Sequence, residues 1–388
     1  MTVGRPALTI CRTLLTALAV SSAYTLAQTV PTLTTLHSFT GGSDGEALWG
    51  GVVIGSAGVL YGTSGGGGTS SACYEGCGKV FSLTPPASPG SVWTEAVLYS
   101  FTGGDGAGPE ASVVIGSGGV LYGTTEYGGT GSCSGTGCGT VFSLTPPLFP
   151  GGTWTQTVLH NFTGSPGDGA IPQAALVIGG DGVLYGTTTY GGSGACVPPG
   201  SGTGCGTVFS LTPPAAPGGA WTETVLYNFT GYPTVGTNPY AGVVVGSGGA
   251  LYGTTQYGGA SGNGTVYSLT PPAGPGSAWT GAVLYAFSGA SDGSVPVGGV
   301  VIGNGGVLYG TTELGGTGTC TGQGIFGCGT AFSLTPPTSA GGAWTQTVLY
   351  SFTGTDRLRI LLRLPWRPPP TCWKRSRQGS RRMGRASQ

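Results

Sequence analysis

Four landmarks return in the same order five times along this chain, and that periodicity constrains its fold more than any other feature. Leu-Tyr-Gly-Thr occurs around Tyr61, Tyr122, Tyr185, Tyr252 and Tyr309. Phe/Tyr-Ser-Leu-Thr-Pro-Pro follows at Phe81, Phe142, Phe209, Tyr267 and Phe332. A tryptophan comes next, at Trp93, Trp154, Trp221, Trp279 and Trp344, and a phenylalanine closes each unit at Phe101, Phe162, Phe229, Phe287 and Phe352. Successive tryptophans stand 61, 67, 58 and 65 residues apart. A tandem unit of that size points to stacked supersecondary modules, each too small to bury its own apolar face.

Within a unit, four short runs read as strands: Val113 to Ile115, Val120 to Thr125, Thr140 to Thr145 and Trp154 to Phe162 in the second unit. They are β-branched and aromatic, bounded by Gly-rich or Pro-Pro punctuation. Pro-Pro has no N–H to give a ladder, so it ends the third run. The body shows no helical apolar period. Gly makes up 82 of 388 residues, roughly three times the ordinary share of ~7%, and only 7% of residues are charged. Those figures exclude a helical bundle, a coiled coil and an ordinary α/β enzyme. The reading is all-β and β-propeller-like, with five complete four-stranded blades at about 50–103, 111–164, 173–231, 240–289 and 297–354 within a domain spanning 28–356. A β-solenoid is the rival, but its coils are usually shorter than these Kelch-sized units. Thr32 to Gly41 matches a fourth strand without its first three, an orphan N-terminal strand.

The units Leu121-Tyr122-Gly123-Thr124-Thr125 and Val141-Phe142-Ser143-Leu144-Thr145-Pro146-Pro147, followed by Trp154, resemble the GloVer (Gloeo/Verruco) tandem repeat of bacterial extracellular proteins. The resemblance covers about residues 32–356. It implies a secreted or surface-anchored repeat protein, often ending in a sorting segment (hence "choice-of-anchor"), and it carries over no catalytic residue. The tail here shows no recognisable anchor.

Arg5 and Arg12, the apolar stretch Leu14 to Ala27 and the small residues Thr25 and Ala27 read as a signal peptide over 1–27, with an uncleaved anchor as the alternative. Cleavage leaves no stable membrane span, and the expected location is extracellular or at the cell surface. From Arg357 onward the pattern stops and a basic tail, 357–388, carries ten of the 13 basic residues. It reads as disordered or as a frameshifted end, the alternative being a natural basic tail. Between Pro31 and Gly354, one lysine, Lys79, faces twelve carboxylates, so nucleic-acid binding by the body is not expected.

Spacing within the units locates the loops that vary. Twelve residues separate the third-strand aromatic from the tryptophan in every unit, and eight separate the tryptophan from the closing phenylalanine. The second-to-third-strand stretch instead runs 20, 20, 24, 15 and 23 residues. This connection and the blade-to-blade connection emerge on one face of an up-and-down blade. Such a face either carries recognition or drifts unconstrained. Four of the loops hold cysteine pairs, Cys73/Cys77, Cys133/Cys138, Cys196/Cys205 and Cys320/Cys328, while the fourth unit's loop has none. With an export signal, pairing as local disulfides is expected, rigidifying loop tips; zinc is the alternative.

Candidate chemistry is sparse, and neither a cofactor nor a metal site is read. His37 and His160 stand where Tyr99, Tyr227, Tyr285 and Tyr350 stand in other units, so they read as ordinary strand residues. Asp44, Asp105, Asp168, Asp292 and Asp356 follow Phe39 and the closing Phe101, Phe162, Phe287 and Phe352 by four to six residues. They read either as Asx-type turns or as a repeated sugar or cation site. Glu126 and Glu313 share a position with Gly65, Thr189 and Gln256 and read as surface loop. The ligand-binding candidates are therefore Tyr127, Tyr190 and Tyr257 at the loop bases, with Asp105, Asp168 and Asp292. The expected role is non-catalytic binding of a glycan or a surface protein. An extracellular carbohydrate-active hydrolase or lyase using loop carboxylates is the alternative.

Overall fold

A computed structural model describes residues 34–354 except 89, 134, 150, 195, 197–203, 217, 232–233, 275–276, 321–326 and 340. The signal peptide and the basic tail lie outside the described residues. Residues 1–36 and 37–388 form separate units, and every sheet belongs to the second. Among the described residues there is no α-helix, and so none long and apolar enough to cross a membrane. The fold is all-β and β-propeller-like. Five four-stranded antiparallel sheets succeed one another along the chain, and a two-stranded ribbon joins Gly169–Ala170 to Tyr190–Gly191.

Each sheet is a meander in chain order. In the second blade the strands are Val114–Ile115, Leu121–Thr125, Thr140–Thr145 and Thr155–Asn161. The first turn needs a left-handed conformation at two successive residues. Gly119 (φ 77°) and its counterparts supply the second in every blade, while the first tolerates Ala57 and Asp181. The Gly of Leu-Tyr-Gly-Thr has a different reason. A Cβ on Gly123 would lie 2.6 Å from the ring of Phe142, which crosses over it from the third strand. The third and fourth strands share one bulge in all five blades, between Val141 and Phe142 in the second. Bulges bend a strand and re-aim its end, and here the residue just past the bulge reaches the blade-to-blade turn.

Successive blades meet face to face through repeated contacts. The closing phenylalanine of one blade packs edge-on against the third-strand aromatic of the next: Phe101 on Phe142 at 5.0 Å, Phe162 on Phe209 at 5.1 Å, Phe229 on Tyr267 at 5.2 Å and Phe287 on Phe332 at 5.2 Å. These four closing rings are fully buried, each contributing about 2–3 kcal/mol of apolar burial. The second-strand tyrosine meets the following blade's tryptophan, as Tyr122 does Trp221 at 5.7 Å. A buried hydroxyl ties the backbones together: Thr63, Thr124, Thr187 and Thr254 donate to carbonyls of Ala111, Ala174, Ala241 and Gly298 in the next blade. This packing is the reason each unit repeats its four landmarks.

The orphan segment takes the expected place without becoming a strand. Residues 37–41 form no strand, since no sheet of their own precedes the first blade. Phe39 nevertheless packs on Phe81 at 4.9 Å, as its counterparts do.

All four cysteine pairs form disulfides. Their position corrects the expectation of stapled loop tips. Cys77, Cys138 and Cys205 are fully buried in the cores between blades, beside the closing phenylalanines. The staple sits at the loop base because only one glycine separates the second cysteine from the third strand. In the fourth blade Asn263 takes that place. Its amide donates to Ser288 O at 2.8 Å and its Oδ1 accepts from Ser294 Oγ at 3.2 Å, so hydrogen bonds replace the covalent link.

Candidate functional site

The two variable connections lie together, as their lengths suggested, and interlock through backbone hydrogen bonds. Gly129 N donates to Gly103 O, while Ala107 and Tyr127 exchange both of theirs. At this end the residues just before each first strand come into contact from blade to blade. Ser112 Oγ donates to Gly51 O at 3.0 Å, and a Cβ on Gly242 would strike Ala175 O. Two repeat positions therefore converge here. One holds Trp49, Glu110, Gln173, Tyr240 and Val297. The other holds Gly65, Glu126, Thr189, Gln256 and Glu313.

Across the second, third and fourth blades these positions form a hydrogen-bonded row. Gln173 Nε2 donates to Glu126 Oε1 at 3.0 Å and lies 2.9 Å from Tyr240 Oη. Thr189 Oγ1 donates to Gln173 Oε1 at 2.8 Å. Burial and the neighbouring Glu110 carboxylate, to which it is hydrogen-bonded, raise the Glu126 pKa well above the ordinary range; Tyr127 and Gln173 pull more weakly the other way. Burial likewise pushes up the phenols of Tyr127, Tyr190 and Tyr240, reinforced at Tyr127 and Tyr240 first by the Glu126 charge and at Tyr190 first by Tyr257. The arrangement sets two carboxyl groups against each other, the buried one biased toward its protonated form, among phenols and an amide (a surface rich in both donors and acceptors). Trp49, 43% exposed, and Glu110 flank Gly65 on one side of the row, and Tyr257, 45% exposed, lies on the other.

Glu126 and Thr189 correct the reading of that position as surface loop, for they are 6% and 1% exposed. Variation among the repeats marks this position because five copies of one residue type are not needed where several blades build one asymmetric site. Tyr127, Tyr190 and Tyr257 do lie at this end. Glu110, Glu126, Gln173, Tyr240 and Trp49 were missed as a group. The one signal for them was their shared register, just before the first strand or just after the second.

Asp105, Asp168 and Asp292 are placed elsewhere, each latching a fourth strand to the following turn. Thr102 N and Oγ1 both donate to Asp105 Oδ1 at 2.8 Å, and the Tyr99 hydroxyl donates to its other oxygen. Tyr285 Oη and Ser288 N donate to Asp292 Oδ2, each at 2.9 Å. Asp168 accepts from Thr163 N at 2.8 Å and Gly169 N at 2.6 Å, and pairs with His160 Nε2 at 3.1 Å. Such donors, outweighing burial, hold Asp168 and Asp292 below the usual carboxylate range. This geometry is that of the Asx-type turn. Near Asp168, burial first and the Asp168 charge second push Glu223 up to about 7.

The model of the Gloeobacter/Verrucomicrobia repeat matches residues 20–214 and 198–360. The chain belongs to the Gloeobacter/Verrucomicrobia repeat family. No curated protein matches it. Among solved structures it is similar to an ulvan lyase of a new polysaccharide lyase family, at 12% identity and a TM-score of 0.40, covering 78% of this chain and 71% of that one. It is also similar to the inulosucrase from Halalkalicoccus jeotgali bound to kestose, at 13% identity and a TM-score of 0.37, covering 83% of this chain and 91% of that one. At those scores neither likeness bears on function.

Proposed function

We propose that this repeat-family protein is an extracellular glycan-binding protein whose ligand lies over the row Glu110, Glu126, Gln173 and Tyr240. The supporting observation is the row itself. Its polar groups are fixed by one another, which presents sugar hydroxyls with preset donors and acceptors, and Trp49 and Tyr257 offer exposed rings on which apolar sugar faces can stack. Four disulfides call for an oxidising compartment, in keeping with secretion. On this reading Asp105, Asp168 and Asp292 build the turns, and Tyr127, Tyr190 and Tyr257 belong to the binding surface.

A hydrolase or lyase is the second reading, favoured by one observation, the acid Glu126 beside the carboxylate Glu110. Its geometry weighs against glycoside hydrolysis, because working carboxylate pairs stand about 5–9.5 Å apart, leaving room for the anomeric carbon or a water. Glu110 and Glu126 instead touch. A glycan array on the full-length protein tests the proposal. Binding of a defined oligosaccharide class, weakened in both Trp49→Ala and Tyr257→Ala, supports it. New reducing or unsaturated ends from a polysaccharide, abolished by Glu126→Gln, would replace it with the enzyme reading.

A further inference from the structure

The contact between the second and third blades holds a second group of side chains, apart from the row above. His160 comes from the fourth strand of the second blade, Asp168 from the connection after it, and Glu223 from the fourth strand of the third blade. One nitrogen or oxygen of each lies within 4.8 Å of the others. Glu223 Oε1 is wholly buried and has no hydrogen-bond partner.

The other repeats show what this group lacks. In the second and fifth blades the Glu223 position is Gln156 or Gln346, whose amide donates to the backbone oxygen of Asp105 or Asp292 at 3.3 Å. An ionised carboxylate cannot donate that bond. At the start of the repeat array the same three residue types recur as His37 and Asp44, ahead of the first blade, and Glu95 on its fourth strand, and there the chain brings its own cation. Lys79 is fully buried, with Nζ 2.9 Å from Glu95 Oε1. At the Lys79 position, the first residue of the third strand, the third blade has Thr207. The second set thus has two carboxyl groups and an imidazole but no lysine among them.

We infer that His160, Asp168 and Glu223 bind a divalent metal ion of the zinc type. One imidazole nitrogen with two carboxylate oxygens is a mixed donor set that suits zinc, whereas calcium asks for 6–8 oxygens. Ligands about 2.0–2.2 Å from one ion stand at most about 4 Å apart, so the three close on it with a shift of under about an ångström. The ion takes the place between His160 and Asp168 now bridged by a hydrogen, and binding releases any proton held there. His160 and Asp168 side chains keep 21% and 13% exposure, which leaves a path in and a position for water.

Calorimetric titration of EDTA-treated, dialysed full-length protein with zinc chloride tests this. One equivalent is expected to bind. Glu223→Gln and His160→Tyr, which install residues that other blades of this chain already carry, are each expected to fold as wild type by circular dichroism and to weaken binding at least about tenfold. Thr207→Lys, which copies the first blade's built-in cation, is expected to abolish it. Absence of stoichiometric binding to wild type, or equal affinity in wild type, Glu223→Gln and His160→Tyr, overturns the inference.

Discussion

The second and fifth blades share nearly the same strand sequences, yet among the described residues only the second is covered by a following sheet. Val114, Leu159 and Tyr122 of the second blade are partly buried against the third. Their counterparts Val301, Leu349 and Tyr309 are 62%, 54% and 40% exposed. Cys138 and Phe162 are fully buried, whereas Cys328 and Phe352 are partly open. At the opposite end Ile54 is 73% exposed where Ile115 and Ile178 pack on the preceding blade. No described residues form a sixth sheet over the fifth. A blade's sequence therefore fixes its own ladder but only half of its core; the neighbour supplies the remainder, and stability is a chain of nearest-neighbour terms.

The largest test of that contrast removes a closing ring from each blade. Phe162→Ala leaves a cavity between two sheets and is expected to lower stability in urea by about 3–5 kcal/mol. Phe352→Ala faces an unfinished junction and is expected to lose about 1–2 kcal/mol, since half-open rings bury less area. Equal losses would mean the fifth blade is covered after all. Next come the staples. Replacing Cys133 and Cys138 together by alanine is expected to destabilise by about 2 kcal/mol from loop closure alone, and by more because Cys138 is part of the interblade core. The Cys320/Cys328 pair, whose second sulfur lacks that cover, is expected to show the closure part without the packing part. A smaller effect belongs to the hydroxyl tie. Thr124→Val breaks its bond to Ala174 O and is expected to lose about 1 kcal/mol, whereas Thr311→Val is expected to be near neutral by the same urea measurement.

The comparison also explains why some features were legible in the sequence and others were not. Strands and sheet order were legible because each is a property of one repeat seen five times, and cysteine pairing because the pairs are present together in four units and absent together from the remaining one. Asp105 and Asp292 were legible as turn formers for the same reason, Asp-Gly being a local signal. The row around Gln173 was not, because it is assembled from three blades that contribute different residues at the same two repeat positions. Variation from blade to blade looks like drift until the blades are brought together. The surroundings of His160 were hidden for a related reason. Equivalence with Tyr99 and Tyr285 correctly placed His160 on a strand, but it could not show that Glu223, from the next blade, would face it.

The finest separation between the second and fifth blades is expected in their response to pH. Glu126 is raised well above the ordinary 4.5 by burial and Glu110, while its counterpart Glu313 is raised by burial alone. A carboxyl whose folded pKa is raised keeps its proton in the native state after the unfolded chain has lost it. Its contribution to stability is therefore complete below about pH 4.5 and is lost as pH rises through the folded value. Asp44, Asp168 and Asp292, held low in the native state, act in the opposite sense and only below about pH 4. Between about pH 5 and pH 8 the Glu126 slope is thus free of them. Glu126→Gln mimics the protonated acid, accepting from Gln173 and donating to Glu110. It is expected to flatten that slope and to gain on the order of 1 kcal/mol over wild type at about pH 8, with no gain at about pH 4. Glu313→Gln is expected to change the slope less. Urea midpoints across that pH range separate the outcomes, and a wild-type slope that survives Glu126→Gln would assign it to another raised carboxyl, Glu223 first among them.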